Sequence, residues 1–461
     1  MRAFGGGFGV LRDPRYRRFL AGAMSYSMAL WSFQTVMVWT TLERTGSAAA
    51  VSLLTVCITL PTLIFTMAAG TLADRRDPRN VVLLSQACAV VCVGLALVAA
   101  LTIGISLPVA ALLIFVTGCF DAFSSVPSIV YVGRLVDPKL MASAIGLSGL
   151  QYGVGRIGGG IVAGVAFQLG GPVAGLLISV TALGLSALIV STLPHLPRAD
   201  VTASLGRFGL GDVRVAVDWV RRSPPSIAII VLGLAAATFV YSYFSLMPIF
   251  AREVIRGGSV ALGALTSSGG VGVLVGALVI DAVGRRAGRG RAILGGLVLA
   301  SIAFIALGMS QVLPLSMALM VVLTAGLGMY RVTCQLVLQA LAPARIRGRV
   351  LATYELTFWG IFSIGTLAAG MLADAYGAGA AAITFGVATL VCVGLVLAFY
   401  RSFVRLDVDR EGRAMLEGRM LTEGPPAGAA PATPAGNADA GDPGETSSQP
   451  GTPPATSPAA S

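Results

Sequence analysis

Long apolar runs separated by short polar stretches dominate the chain up to about residue 400. Twelve runs reach the roughly 20 residues that an α-helix needs to cross a hydrocarbon core. They cover about 19–41, 48–73, 80–103, 107–133, 140–169, 172–193, 227–250, 259–282, 292–311, 313–341, 349–375 and 378–400. Leu, Val, Ala and Gly fill them without the two-residue alternation of barrel strands. Backbone groups in lipid must be satisfied within their own segment, so the pattern predicts helices. Arg12, Arg15, Arg17 and Arg18 precede the first run as they would a signal peptide, but the run is too long and lacks a convincing cleavage site.

The polar stretches carry charge on alternate sides. With the N-terminus in the cytoplasm, inside segments hold 27 of the 32 lysines and arginines. Outside loops hold three, Arg44, Arg252 and Arg256, and Arg156 and Arg331 fall within spans. That asymmetry is the positive-inside pattern. The net charge of +11 is then a topology device facing anionic lipid of the inner leaflet, and no nucleic-acid partner is expected. Composition agrees: AVILMFWYC make up 56% of the chain, 58 residues are glycine, and only 11% are charged, against about 25% in soluble domains. So few polar residues cannot cover a water-soluble fold, which excludes soluble enzymes and nucleic-acid-binding domains. The expected fold is an all-α membrane protein, a monomer with both termini cytoplasmic.

The spans repeat at a fixed offset. Gly70 and Asp74 at the end of span 2 recur as Gly276 and Asp281 at the end of span 8, 206 and 207 residues on. Gly159, Gly164 and Gly171 recur as Gly365, Gly370 and Gly377, each 206 residues on. Ordered matches at one offset imply two duplicated six-helix bundles. The expected organisation is a cytoplasmic N-terminus (1–18), a first bundle (19–193), a cytoplasmic linker with an amphipathic helix (194–226), a second bundle (227–400) and a cytoplasmic tail (401–461), disordered after about 424. The linker sequence 212–222 has helical apolar spacing and ends in Arg221 and Arg222, so it should lie flat on the inner membrane surface. His195, the single histidine, reads as a solvated linker residue.

Several motifs resemble the major facilitator superfamily. Gly70-x3-Asp74-Arg75-Arg76-x2-Arg79 is similar to its loop 2–3 signature, Gly-x3-Asp-Arg-x-Gly-Arg-Arg, with Asp77 where a glycine is usual. Gly155-x3-Gly159-Gly160-x2-Ala163-Gly164 resembles the span 5 exporter motif, with Gly160 where that motif has proline. Leu246-Met-Pro248-Ile-Phe-Ala-Arg252 and Arg347-Gly-Arg349-Val350 resemble the bacterial subgroup that includes the enterobactin exporter and macrolide efflux proteins. The resemblance covers about residues 10–405. It implies a two-bundle rocker-switch exporter of the bacterial cytoplasmic membrane, usually driven by protons. It also implies a gate in which Asp74 latches against Arg347 and Arg349, with Asp281 and Arg285 as the repeat's counterpart.

Four ionisable residues lie deep in spans: Asp121, Arg156, Arg331 and Glu355. An Asp or Arg at a helix centre costs about 2.5–3.5 kcal/mol on insertion scales, so each needs a partner or water. Consecutive spans form a hairpin, and residues equidistant from its apex share a depth. Asp121 and Arg156 lie 17 and 18 residues from Pro138; Arg331 and Glu355 lie 12 residues either side of Pro343. Each hairpin thus offers one acid and one base. Two readings stand: ion pairs that hold helices together, or acids that release a proton and an arginine that binds substrate. In the resembling family spans 1, 4, 7 and 10 face the central cavity. There Trp31, Gln34 and Tyr241 would join Asp121 and Arg331 around an amphipathic molecule.

No Gly-x4-Gly-Lys-Ser/Thr phosphate loop is present, and Lys139 is the only lysine, so this chain does not hydrolyse ATP itself. No catalytic triad, metal-ligand cluster or cofactor motif is visible. The six cysteines lie within spans and no disulfide is expected. The sequence therefore reads as a non-enzymatic secondary transporter. It would export a drug, siderophore or similar metabolite in exchange for protons. The alternatives are an uptake transporter of the same fold, or a receptor or scaffold that transports nothing.

Overall fold

The computed structural model describes residues 9–137, 140–195, 210–343 and 346–400, together with parts of 403–420; within these helices the side chains of Asp74, Ala142, Ile145, Leu210, Asp212 and residues 280–287 are not described. The first half holds α1 (Pro14–Thr45), α2 (Ala48–Arg75), α3 (Pro78–Leu101), α4 (Leu107–Leu135) and α5 (Met141–Ser191). The linker helix is α6 (Leu210–Arg221). The second half holds α7 (Pro224–Ala235), α8 (Tyr243–Ile249), α9 (Gly258–Ala287), α10 (Arg289–Met309), α11 (Leu313–Leu341), α12 (Arg347–Tyr376) and α13 (Ala378–Phe399). Two π turns, Ala236–Val240 and Phe250–Val254, follow α7 and α8, so span 7 is one rod of mixed winding.

Twelve crossings result among the described residues. Helix α5 supplies two, because Gly170 and Gly171 leave helical geometry and Gly171 takes φ +63° just before Pro172. Spans 5 and 6 therefore meet at a corner without a loop. Helix α1 is the least apolar crossing, and it buries Ser27, Ser32, Thr35, Thr40 and Thr41 against its neighbours. Elsewhere the ends follow capping chemistry. Asp13 caps α1 through Arg15 N at 2.7 Å, with Pro14 in the first turn, and Gly46 at φ +66° ends it. Asp77 caps α3 through Arg79 N at 3.1 Å, followed by Pro78. The residue that departs from the loop 2–3 signature thus starts a helix.

Packing reproduces the repeat. Without a hydrophobic drive between helices in lipid, close approach of small residues supplies the contact energy. A Cβ at Gly159 would meet Met28 O of span 1 at 2.6 Å, and one at Gly365 would overlap Thr238 of span 7. A Cβ at Gly164 would meet Ser259 O of span 8 at 2.6 Å, and one at Gly370 would meet Ala48 O of span 2 at 2.8 Å. Gly171 and Gly377 both take positive φ at the corner after these helices. The glycines matched at one sequence offset therefore do matched work: one binds the helix to its own half, one binds it to the other half, and one turns the chain.

The halves consequently join along two seams, span 5 against span 8 and span 2 against span 11. On the outer surface, Leu84, Val91, Leu95 and Val98 of α3 form a helical stripe at least half exposed, as lipid contact requires. Helix α6 packs against α12, with Ala216 buried. In the expected tail the chain forms a small antiparallel sheet, β1 (Leu406–Val408), β2 (Ala414–Leu416) and β3 (Arg419–Met420), with Phe403 and Leu406 buried beside α10. Residues beyond 420, including the segment expected to be disordered, lie outside the described residues.

Candidate functional site

The second hairpin brings its charges together. Arg331 on α11 donates through Nη2 to Glu355 Oε2 on α12, and Gln335, one turn on, donates to Glu355 Oε1 at 2.6 Å. The Arg331 guanidinium lies 3.8 Å from the Phe358 ring centre, with Trp359 and Tyr354 within 6 Å. A delocalised cation over aromatic faces is favourable, and more so when desolvated. About a third of the Glu355 side chain stays exposed. Tyr241 belongs to this group: its ring meets Phe358 edge-on at 5.0 Å.

The first hairpin does not. Asp121 and Arg156 make no ion pair. Asp121 Oδ1 accepts from Tyr26 of α1 at 3.0 Å. Arg156 Nε donates to Thr266 O at 3.1 Å and Nη1 to Tyr243 Oη at 3.3 Å, both in the second half. Equal distance from a hairpin apex fixes depth but not direction around the helix axis. Here the two side chains leave their helices on different bearings. Arg156 is 3% exposed and lies 4.9 Å from the Trp31 ring centre. Trp31 and Gln34 line a cavity with Thr55, Phe244, Met247 and Thr266. Trp31 thus stands against Arg156, whereas Tyr241 packs with the aromatic group around Arg331.

Gly155 and Gly159 face span 1, whereas Gly160 and Gly164 face span 8. A Cβ at Gly160 would press on Ser267 Oγ at 2.9 Å and Gly263 O at 3.0 Å. Hydrogen bonds reinforce that seam: Ser259 Oγ donates to Gly164 O at 2.9 Å and Ser267 Oγ to Ile157 O at 2.7 Å. The second seam has a device that sequence reasoning missed. Asp374, at the end of α12, caps α2 from the opposite half. Its Oδ2 accepts from Ser47 Oγ at 2.7 Å and from Ala49 N at 3.0 Å, while Oδ1 accepts from Ala48 N. The repeat-equivalent position is Gln168, so the offset gave no signal. Arg252 also crosses, donating to Leu42 O at the end of α1. All these contacts run from mid-depth to the end of the bundle away from the chain termini. Toward the terminus end the same four helices expose Met67, Leu150, Leu278 and Leu356.

At the terminus end the side chains of Asp74, Asp281 and Arg285 lie outside the described residues. A Cβ at Gly70 would lie 3.9 Å from Val126 on α4. Arg75, Arg347 and Arg349 are exposed, and Arg347 donates to Ala342 O at 3.4 Å. Arg79 reaches Ser191 O, Asn80 and His195 Nε2. His195 is two-thirds exposed, as expected of a solvated linker residue, and its Nδ1 also meets Asp77 Oδ2 at 2.7 Å. An acid where the signature has glycine thus ties the loop after span 2 to the chain after span 6.

Twelve crossings in two repeated halves, meeting around intramembrane charges, define a membrane transporter rather than an enzyme. The family model described as transmembrane secretion effector matches residues 6–422, and the chain belongs to that family, within the major facilitator superfamily. The fold is similar to that of the nucleoside transporter NupG (TM-score 0.68, 16% identity, over 84% of this chain and 100% of that one). It is also similar to a bacterial homologue of the human lysosomal transporter Spinster, inward-facing and unoccupied (0.65, 17%, 85% and 98%). A D-xylose–proton symporter is a third such structure (0.61, 16%, 83% and 97%). No curated protein matches the chain by sequence.

Proposed function

We propose that the chain exports a small amphipathic molecule across the bacterial cytoplasmic membrane by alternating access, in exchange for protons. The positive-inside count supports a cytoplasmic terminus end, and on that reading the state is inward-open. The observation that carries the reading is the confinement of the seams to one end, with the intramembrane charges at and below their inner limit. From Ser363, which contacts Thr59 in the seam at 3.3 Å, Glu355 lies eight residues toward the terminus end. That is about 12 Å along a helix. A carboxylate about a third exposed there can exchange protons with the open cavity, while Asp121, held by one tyrosine, is the second candidate. Everted vesicles offered a panel of amphipathic compounds from the medium, with and without a pH gradient, test the reading. Proton-driven accumulation that Asp121→Asn or Glu355→Gln abolishes supports it. Accumulation in right-side-out vesicles instead assigns uptake, and wild-type rates in both variants over pH 6–8 remove the coupling role.

A further inference from the structure

Three of the four intramembrane charges find their bonding partners within their own half, although Arg331 Nη1 is itself buried without a hydrogen-bond partner. Tyr26 and Asp121 both belong to the first half, and Arg331, Gln335 and Glu355 all belong to the second. Rigid rocking of one half against the other leaves those bonds intact. Arg156 differs: it stands on span 5, and both its hydrogen bonds end on spans 7 and 8. Rocking must break them.

Its guanidinium is also incompletely satisfied. Nη2 is buried without a hydrogen-bond partner, and among the described residues no carboxylate pairs with Arg156. A Cβ on Gly269 would overlap Nη2, so the facing helix leaves room for that arm of the fork. The rings of Trp31, Phe244 and Tyr243 stand 4.9, 5.9 and 6.0 Å from the guanidinium carbon. Trp31, Phe244 and Thr266 also line the adjoining cavity. Tyr152 lies edge-on to Trp31 at 5.7 Å and is half exposed. A charged fork with a spare arm, walled by aromatic faces, suits an oxyanion that can accept through two oxygens and is attached to an apolar body. Asp121 cannot supply the anion by rocking, because it moves with Arg156.

Resting on the transport reading above, we propose that Arg156 is the binding site for an oxyanion group of the transported molecule: a carboxylate, sulfonate or phosphate. A bidentate anion on Nη1 and Nη2 takes the place of Tyr243. It thereby satisfies Arg156 in the state where the halves have parted. The ligand then favours that state by its differential affinity, which is what couples binding to opening. The substrate class is amphipathic anions or zwitterions, not simple cations.

The test uses the full-length protein in detergent with two probes of one shape, 1-naphthoate and 1-naphthamide. The readout is the thermal midpoint as a function of probe concentration. Naphthoate should raise the wild-type midpoint and naphthamide should not. Arg156→Gln should weaken the apparent naphthoate affinity at least tenfold, and Arg156→Lys, which keeps charge without the fork, should fall between. Gly269→Ala, which crowds Nη2 and leaves the charge, should also weaken it, and it carries the comparison if Arg156→Gln does not fold. Equal responses of the wild type to the two probes, including no response to either, overturn the assignment, as does an unchanged affinity in Arg156→Gln and Gly269→Ala. Vesicle transport is scored separately. Arg156-dependent discrimination without transport of any panel compound leaves the anion site standing and removes the transport reading; transport without discrimination does the reverse.

Discussion

Replacing Asp374 by alanine should shift the protein toward the state open at the far end. Three donors at the start of α2 converge on this carboxylate: Ser47 Oγ, Ala48 N and Ala49 N. Ser47 Oγ itself accepts from Ala50 N at 3.2 Å, so the first-turn amides of α2 are satisfied partly by its own cap and partly by the other half. Losing a capping side chain costs about 0.5–2 kcal/mol, and the charge–dipole attraction adds about 0.3–1 kcal/mol. Asp374 is exposed, so solvent screening holds the sum near 1–2 kcal/mol. Because donors and acceptor sit on different halves, nearly all of that bears on the closed-to-open equilibrium and little on the folding of either half. Since about 1.4 kcal/mol is tenfold in a population ratio, the open fraction should rise about tenfold. Spin labels at Ile103 and Met309, exposed near the far ends of the first and second halves, report the separation by double electron–electron resonance in a cysteine-free background. Asp374→Asn, which keeps an acceptor but no charge, should fall between. A distance distribution in Asp374→Ala that overlays the wild type refutes the argument.

The two charged hairpins should now behave differently in double-mutant cycles on thermal stability. Arg331 and Glu355 should couple, by about 1–3 kcal/mol given the partial exposure of Glu355, whereas Asp121 and Arg156 should be additive within about 0.5 kcal/mol. Strong coupling in the first hairpin counts against the geometry described. Leucine at Gly155 or Gly159, which face span 1, should reduce folded yield; leucine at Gly160 or Gly164, which face span 8, should leave the first bundle folded but part the halves, as the same spin labels would show. Asp77→Ala removes a helix cap and the His195 contact together. It should lower stability by about 1 kcal/mol, half recovered in Asp77→Asn, and an unchanged melting midpoint would remove the structural role given to this residue.

The architecture was legible because lipid imposes a coarse grammar. Span length, charge asymmetry and a 206-residue glycine offset needed no side-chain detail, and the structure gives those glycines matched roles. Contacts that depend on direction around a helix axis were not legible. The depth argument worked for Arg331 and Glu355, whose bearings converge, and failed for Asp121 and Arg156, whose bearings diverge. Asp374 escaped because an aspartate at a helix end reads as a loop acid until the helix it caps, more than 320 residues away, is in place. Asp77 was visible only as a departure from a pattern; its meaning came from the Pro78 beside it and from His195 beyond span 6.

Span 7 stores information in a count of residues. Each π turn closes on a carbonyl five residues back, Tyr241 N on Ala236 O and Ile255 N on Phe250 O, both at 2.9 Å. Such a turn takes in one residue more than an α turn and offsets everything beyond it by about 100° of azimuth. Tyr241, Tyr243 and Phe244 all follow the first insertion, so the direction in which they meet Phe358 and Arg156 is set by it. Removing one residue from Ala236–Val240 would swing these rings more than a quarter turn away while changing none of them. Insertions and deletions, rather than substitutions, are therefore the changes to which this wall of the cavity is most sensitive. A related chain with its π turn a few positions earlier or later could present a different wall to its substrate with the same side chains.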